Sequence, residues 1–320
     1  MANCNNLFQS FHEKIQILPS KKEKLGKSKD KLRKRIIEYF KENHPEYEPK
    51  FFIQGSYKMG TAVRTKDDTC DLDDGVYFLR LPDHEATALQ KWVRDAVDGH
   101  TDEQQHRKKC ISVIYKKEGV EDFNIDIPVY YKLDNEAPHL AVKDEGWEES
   151  DPKAFVSWFR KRKKENSQIV KVVRFLKIWC DHVRDKMPNG LAITILACNT
   201  LVDATFESSR DDVTLRNVLK QIRKNLKAKW ECVVPAIPND DLFRNYNDDR
   251  RDKFFDRLDS FIEDADRALN EKNQLKASRL WQKHLGSKYF PDGADEDEEG
   301  NGESVAGLAS VVGNKKPWRS

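Results

Sequence analysis

Three aspartates in strand-like surroundings are the residues of this sequence best suited to do chemistry. Asp71 and Asp73 are two residues apart in the segment Asp71-Leu72-Asp73-Asp74-Gly75-Val76. On a β-strand, residues two apart share a face, and their Cα atoms are roughly 6.6 Å apart. Neighbouring carboxylates repel each other, and a hard divalent cation with oxygen ligands relieves that repulsion. The pair therefore predicts a magnesium or manganese site, with a glycosyltransferase metal site or two surface acids as alternatives.

The third aspartate, Asp126, lies in the apolar segment Phe123-Asn124-Ile125-Asp126-Ile127-Pro128-Val129. Period-two alternation places Asp126 on the face opposite Ile125 and Ile127. Burying an unpaired carboxylate is unfavourable, so a metal or a cleft explains this residue better than chance. Asp74 falls on the other face from Asp71 and Asp73, and we expect it to be a turn or surface acid.

A glycine and a serine, Gly55-Ser56, directly follow the apolar segment 51–54. This pattern offers what a phosphate needs, namely close backbone approach at glycine, a hydroxyl donor, and amides at the start of a helix. A Gly-Ser pair after a strand is usually an ordinary turn. Its occurrence ahead of two acidic strands is rarer and favours a nucleotide site.

The elements that must position these residues fall into two halves. Strand-length apolar segments at 50–54, 72–79, 110–116 and 124–131, with a short helical pattern over 89–97, predict a sheet domain. After residue 152 the patterns are helical only. We therefore expect an α+β protein with an N-terminal helix over 1–45 that bridges the two lobes, a catalytic core over 46–150, a helical domain over 151–291, and an acidic linker and tail over 292–320.

The bridging helix has an unusual charge pattern. Its apolar residues recur at helical spacing between residues 20 and 43, whereas residues 21–35 contain nine Lys or Arg and two acids. The basic face is either a solvated side of a scaffold helix, which we favour, or a surface that follows a phosphate backbone.

Composition limits the class of protein. Charged residues are 35% of the chain, and no apolar run is long enough to span a bilayer. The first twenty residues lack the pattern of a secretory signal, so we expect a cytoplasmic protein without membrane partners. Seven acids between residues 292 and 303, interspersed with glycine, predict a disordered linker.

Taken together, these motifs resemble the DNA polymerase β-like nucleotidyltransferase superfamily, whose pattern is Gly-Ser, a spacer, Asp-x-Asp, and a third Asp on a later strand. The phrases Gln-Gly-Ser-Tyr, Asp-Leu-Asp-Asp-Gly-Val-Tyr and Ile-Asp-Ile-Pro-Val-Tyr are similar to those of the cGAS/DncV-like nucleotidyltransferases (CD-NTases), of the bacterial cyclic GMP-AMP synthase type. The resemblance extends over residues 20–290 and implies a polymerase-β-like sheet domain packed against a C-terminal helical domain.

The resemblance also implies roles for individual residues. Asp71, Asp73 and Asp126 would be catalytic and would hold two Mg²⁺ or Mn²⁺ ions. Lys177, in a helix similar to one of the oligoadenylate synthases, would contact the triphosphate, and Asp241, in a Pro-rich stretch, would contact a base. The expected nucleotide-binding residues are Gln54, Gly55, Ser56, Tyr57, Lys58, Met59, Lys177 and Asp241.

The function implied is metal-dependent synthesis of a cyclic di- or oligonucleotide second messenger, most similar to cyclic GMP-AMP, from ATP and GTP in bacterial antiphage defence (CBASS). Its expected partners are an effector protein that binds the product and a conjugation or regulatory protein at the C-terminal tail. Two alternatives stay open. One is template-independent transfer of nucleotides to RNA or a small acceptor, and the other is a nucleic-acid-binding module of the same fold.

Overall fold

The computed structural model describes residues 2–203 and 209–295. In this part of the chain, two N-terminal helices precede an eight-stranded mixed sheet, and six helices follow it. The first half contains α1 (Asn5–Lys14), α2 (Pro19–Asn43), β1 (Pro49–Gln54), α3 (Gly55–Met59), β2 (Asp71–Phe78), α4 (Ala86–Val97), β3 (Glu103–His106), β4 (Ile111–Lys117), β5 (Val120–Ile127), β6 (Val129–Tyr131), β7 (His139–Val142) and β8 (Gly146–Glu149). The second half contains α5 (Pro152–Glu165), α6 (Ile169–Val183), α7 (Gly190–Asp203), α8 (Asp211–Ala228), α9 (Asp248–Asn270) and α10 (Gln274–Leu285).

The strand β2 is at the centre of the sheet and carries the Asp-x-Asp motif. It pairs antiparallel with β1 and parallel with β5 and β6. The interruption between β5 and β6 is at Pro128, which has no amide hydrogen to donate to a ladder, although its carbonyl accepts from Val76 at 2.9 Å. The predicted single strand over 124–131 is therefore two strands.

Two separate apolar clusters stabilise the two halves. One lies under the sheet, where Leu25, Leu32, Ile36 and Phe40 of α2 are buried against strand residues. The other fills the helical half and includes the stripe of α6 and the nearly apolar helix α7. These positions agree with the predicted apolar stripes. Among the described residues, no helix combines the length and apolar character needed to cross a membrane.

The N-terminal region differs from the prediction of one bridging helix. Pro19 begins α2, a favoured position for proline because its missing amide hydrogen would be unpaired there anyway. The preceding α1 packs into the helical half, where Phe8 contacts the rings of Phe175, Trp281 and Phe290. The N-terminal region therefore contains two helices, of which α1 packs into the apolar cluster of the helical half and α2 packs into the cluster under the sheet.

The C-terminal boundary also differs from the expected one. Residues 292–295 hydrogen-bond to α10 and its cap, including Gly293 N to Ser278 Oγ at 2.9 Å and Asn273 Nδ2 to Asp295 Oδ1 at 2.7 Å. The first two of the seven acids therefore belong to the folded unit. The remainder of the predicted linker and tail, residues 296–320, lies outside the described residues.

Candidate active site

The three predicted catalytic aspartates lie on adjacent strands with a register that brings them together. Asp73 of β2 pairs directly with Asp126 of β5, and Asp71 pairs with Asn124. Paired residues on neighbouring strands point to the same face and are about 4.8 Å apart across the sheet. All three carboxylates therefore lie on one face of the sheet. Asp71 opens to solvent, whereas Asp73 and Asp126 are half-buried.

The Gly-Ser turn is in direct contact with this acidic group. Gly55 begins α3 with φ = +62°, and a Cβ atom placed on it would lie 2.0 Å from Oδ2 of Asp73. Both the backbone conformation and the space therefore require glycine. The missing side chain brings the first amides of α3, which have no partner within the helix, next to the Asp-x-Asp motif.

Burial and the nearby negative charge raise the pKa values of Asp71 and Asp73. Burial, followed by the charge of Asp126, raises the pKa of Asp73 to about 7. The same two causes raise the pKa of Asp71 to about 6, because the walls of the cleft desolvate this carboxylate even though part of it is exposed. Both groups would lose this penalty on binding a cation.

The residues present fit a hard divalent cation. The donor atoms are carboxylate oxygens, which magnesium and manganese prefer, and the repulsion among them favours a positive ligand. Within residues 2–203 and 209–295, no group of three or more His, Cys, Asp or Glu side chains is arranged so that it could hold a metal ion. An open set of acids is what a metal shared with a substrate requires, because the substrate completes the coordination.

Lys177 approaches the acids from the helical half. Its Nζ donates to Thr61 Oγ1 at 3.4 Å, just beyond the end of α3, and its side chain passes Gly190. Burial lowers the pKa of Lys177 to about 8, and the charges of Asp73 and Asp71 partly offset that effect. The lysine predicted to contact triphosphate therefore faces the same cleft as the aspartates.

Arg174, one helical turn before Lys177, holds the end of the Gly-Ser turn. Its Nη2 donates to Gly60 O, and its Nη1 to His12 Nε2, both at 2.8 Å. Burial and the charge of Arg174 lower the pKa of His12 to about 4, so the ring stays neutral and accepts this hydrogen bond. Neither residue was predicted from the sequence. Arg174 lies in the helix that carries Lys177, which resembles one of the oligoadenylate synthases, whereas His12 lies in no recognised motif.

The remaining residues predicted from the segment 54–59 divide into two groups. Gln54, Ser56 and Met59 line the cleft together with Gly55. The amide of Gln54 also bridges two stacked rings below the cleft, donating to Tyr130 Oη at 3.0 Å and accepting from Tyr77 Oη at 3.4 Å.

Tyr57 and Lys58 lie away from the cleft. Tyr57 packs against the apolar cluster under the sheet. Lys58 is exposed, with its Nζ 5.7 Å from the centre of the Phe52 ring. The structure does not bring either side chain to the cleft wall, and their nucleotide-binding role stays a prediction.

Two cavities adjoin at Asp71. The larger cleft has a volume of about 520 Å³ and extends between the sheet and α5, α7 and the segment 234–242. The smaller one, about 350 Å³, lies toward α6 and the segment 184–190. The residues that line both cavities are Ser56, Asp71, Lys177 and Gly190, whereas Asp73 and Asp126 line only the larger one. The volumes are in the range of sites that hold a nucleotide-sized ligand.

Asp241, the acid predicted to contact a base, accepts hydrogen bonds from the backbone. Asp241 Oδ1 accepts from Cys232 N at 2.8 Å and from Phe243 N at 2.9 Å, which fixes the turn that follows the Pro-rich stretch. Its neighbour Asp240 lines the larger cleft. The adjacent position therefore presents the carboxylate that we had expected from Asp241.

Two cations at the cleft rim were also missed. Arg107 Nη1 lies 3.7 Å from Asp126 Oδ2, and Lys109 lines the larger cleft, where it pairs with Glu148. Their signal in the sequence was the run Arg107-Lys108-Lys109 directly before a predicted strand. Since that run could equally be a solvated turn, only the sheet topology assigns it to the site.

The prediction that Asp74 is a turn or surface acid is wrong. Its side chain is only 5% exposed, and both carboxylate oxygens accept from Arg33 of α2, with Nε to Oδ2 at 2.7 Å. A carboxylate on the covered face of a sheet needs such a partner. The basic helix supplies it.

The sequence and the fold are similar to those of nucleotide-joining enzymes. Residues 49–130 match the family model of the cyclic GMP-AMP synthase DncV-like nucleotidyltransferase domain. The chain is 27% identical over 221 residues to a cyclic GMP-AMP synthase of Escherichia albertii, covering 62% of this chain and 48% of that protein. It is 25% identical over 276 residues to a cyclic AMP-AMP-AMP synthase of an Acinetobacter strain, covering 80% and 77%.

Solved structures show the same architecture. The cyclic AMP-GMP synthase DncV of Vibrio cholerae superposes with a TM-score of 0.79 at 18% identity, over 90% of this chain and 98% of that one. Escherichia coli DncV with bound 3′-deoxy GTP gives 0.76 at 18% identity, over 87% and 94%. The fold is therefore a polymerase-β-like nucleotidyltransferase sheet joined to a helical domain. The sequence match spans about half the length of the E. albertii synthase.

Proposed function

We propose that this chain is a cGAS/DncV-like nucleotidyltransferase and that it joins ATP and GTP into a cyclic di- or oligonucleotide. One observation carries the proposal. Asp71, Asp73 and Asp126 share one sheet face and line the larger cavity together with Lys177; Asp73 contacts Gly55 of the Gly-Ser turn, and Asp71 also lines the smaller cavity. The named relatives make cyclic GMP-AMP and cyclic AMP-AMP-AMP, which supports the class of product more than any one product.

The residues have distinct tasks in the proposed reaction. Asp71, Asp73 and Asp126 hold two Mg²⁺ or Mn²⁺ ions, which when bound offset the charge of the triphosphate and favour ionisation of the acceptor hydroxyl. Gly55 and Ser56 hold the β- and γ-phosphates through backbone amides and a hydroxyl. Lys177 offsets charge that develops on the leaving pyrophosphate.

Bond making and breaking balance in each step. The acceptor hydroxyl oxygen of one nucleotide forms a bond to the α-phosphorus of the other, and its proton is lost. The bond from that phosphorus to the bridging oxygen breaks, and pyrophosphate leaves. A second transfer within the linear product then closes the ring. Two cavities that adjoin at Asp71 and Lys177 allow one site to perform both steps.

In the cell we propose that the product is a second messenger in antiphage defence, read by an effector protein that binds it. The support is the class of product made by the relatives. Cytoplasmic location and a conjugation or regulatory partner at the C-terminal tail stay predictions. Residues 296–320 lie outside the described part of the chain.

The test is product analysis. The protein is incubated with labelled ATP and GTP and Mg²⁺, digested with phosphatase, and the resistant products are identified by mass spectrometry. We expect a cyclic product that requires the metal and is absent from the Asp71→Asn/Asp73→Asn variant. Transfer of label only to added RNA or a small acceptor, or no pyrophosphate release at all, would overturn the proposal.

A further inference from the structure

The helix α5 carries a row of exposed cations that the proposed reaction does not use. The α5 strip consists of Lys153, Arg160, Lys161 and Lys164. The last three residues lie seven, eight and eleven positions after Lys153 in the sequence. This spacing places them on one side of a helix, and all four side chains are exposed. The opposite side is buried through Phe155, Val156 and Phe159. The strip is therefore a genuine surface feature about 16 Å long, at 1.5 Å per residue.

The charges of the strip are not neutralised by carboxylates of residues 2–203 and 209–295. In the described part of the chain, none of its four side chains forms an ion pair with a carboxylate, and the helix's own Glu165 is engaged by Arg162.

The basic helix α2 shows the contrast. Lys21 and Lys24 pair with Asp122 at 2.8 and 3.3 Å, Lys27 with Glu23 at 2.6 Å, and Arg33 with Asp74. The helix with the most cations in the sequence is thus largely paired, whereas the four cations of the α5 strip have no carboxylate partner among the residues that the structure describes.

The position of the strip indicates its ligand. It starts at the rim of the larger cleft, which Pro152 and Phe155 line, and Lys153 Nζ lies 4.7 Å from the centre of the Tyr77 ring. Trp158, partly exposed on the same helix, has the Arg162 guanidinium 5.9 Å from its ring centre, so that an aromatic ring and a further cation lie beside the strip. Free cations beside an aromatic ring and a nucleotide cleft are the combination that single-stranded nucleic acids bind.

We propose that the α5 strip binds the phosphate backbone of a single-stranded nucleic acid that leads away from the catalytic cleft. Its length suits a few nucleotides, and its charge complements their phosphates. None of the four residues of the α5 strip lines either cavity, although the strip begins at the rim of the larger cleft. Binding at the strip would therefore be an activity separate from the proposed synthesis.

The experiment measures fluorescence anisotropy of labelled oligouridylate RNA and oligothymidylate DNA between about 50 and 200 mM salt. The variant Arg160→Gln/Lys161→Gln/Lys164→Gln removes three charges of the strip. We expect its affinity to fall about tenfold or more at the lowest salt, with the slope of log K against log salt reduced by about 2.

The matched control, Lys22→Gln/Lys27→Gln/Lys31→Gln, removes three exposed charges from α2 and should bind like the wild type. Binding of either oligonucleotide that is lost only in the α5 variant supports the proposal. Equal loss in both variants, no binding by the wild type, or displacement by polyglutamate at equal charge would overturn it.

Synthesis of cyclic product without added nucleic acid is measured for the same proteins. Arg160, Lys161 and Lys164 line neither cavity, so we expect this activity to be unchanged. A failure of the proposed synthesis would be seen in the wild type as well, and is thereby distinguished from a failure of the α5 surface.

Discussion

At the scale of single residues, the close contact between Gly55 and Asp73 predicts that even a methyl group at position 55 lowers activity. Gly55→Ala would place Cβ 2.0 Å from the Asp73 carboxylate, on backbone with φ = +62°. We expect pyrophosphate release to fall at least about 100-fold, because the turn or the acid must move. Gly60→Ala is the matched control, since φ is +73° there but nothing lies within 4 Å of the added atom. Gly60→Ala should lose stability only, whereas equal activity losses would contradict a specific clash.

The raised pKa of Asp73 predicts how stability depends on pH. A carboxyl whose pKa is higher in the folded protein binds more protons there than in the unfolded chain between about pH 4 and 7. Its ionisation therefore destabilises the fold as pH rises through that window. Without divalent ions, Asp73→Asn should raise the free energy of unfolding at pH 8 by more than about 1 kcal/mol, and the gain should shrink toward pH 4.

Urea unfolding between these pH values, in the presence of a chelator, checks this expectation. Asp68→Asn is a control of opposite sign, because the hydrogen bond from Arg64 lowers the pKa of Asp68. That variant should be less stable than the wild type at pH 8, and its deficit should disappear as pH falls. An Asp73→Asn protein that is less stable than the wild type at pH 8 would show that the carboxylate is favourably paired.

Protons and divalent ions should compete for the same carboxylates. With the pKa values of Asp71 and Asp73 at about 6 and 7, activity at limiting Mg²⁺ should fall as pH drops from 8 to 6. Raising the Mg²⁺ concentration should shift this loss of activity to lower pH, because metal binding releases protons from the carboxylates. The measurement is initial rate against pH at several metal concentrations. If the pH at which activity is lost does not depend on the Mg²⁺ concentration, a group other than these carboxylates is responsible for the titration.

At the scale of elements, α2 acts as a scaffold through its buried contacts. Arg33→Met would leave Asp74, 5% exposed, without its partner, at a cost of about 3 kcal/mol. Arg33→Met/Asp74→Leu removes both charges and should recover most of that loss. Lys22→Met, on the exposed side, is the matched control and should change the free energy of unfolding by less than about 0.5 kcal/mol. Similar losses for Arg33→Met and Lys22→Met would contradict a structural role for the pair.

Elements with strong periodicity could be predicted from the sequence, and short or polar ones could not. The helix α2 agrees with its apolar pattern because it buries one face, and the strands β2 and β4 agree with their apolar segments because consecutive residues in each are buried. The strands β3, β7 and β8 have four residues each, too few to show a period, and α1 was absorbed into an expected single helix.

The residues of the candidate site also differ in how far the sequence predicted them. The acids and Gly-Ser were identified because their residue types and spacing are unusual. The roles of Asp240, Arg107 and Arg174 depend on contacts between segments far apart in sequence, which spacing does not reveal.

At the scale of the whole molecule, the boundary at residue 295 can be tested by truncation. A chain ending at Asp295 keeps the hydrogen bonds of residues 292–295 to α10, so its Tm and synthesis in vitro should match those of the full chain. A chain ending at Pro291 loses these bonds and should unfold at a temperature several degrees lower. Thermal unfolding and product formation of the two proteins provide the comparison. Loss of synthesis on truncation at 295 would give the tail a catalytic role.

The packing of α1 has a consequence for the order in which the protein folds during synthesis. Phe8 is completely buried against Phe175, Trp281 and Phe290, and the Ala2 amide donates to Glu271 O. The helix α1 therefore leaves the ribosome long before its permanent neighbours in α6, in α10 and at residue 290. Until residue 290 has emerged, its apolar side is exposed, and the nascent chain is most open to aggregation and to chaperones while the sheet half is already complete.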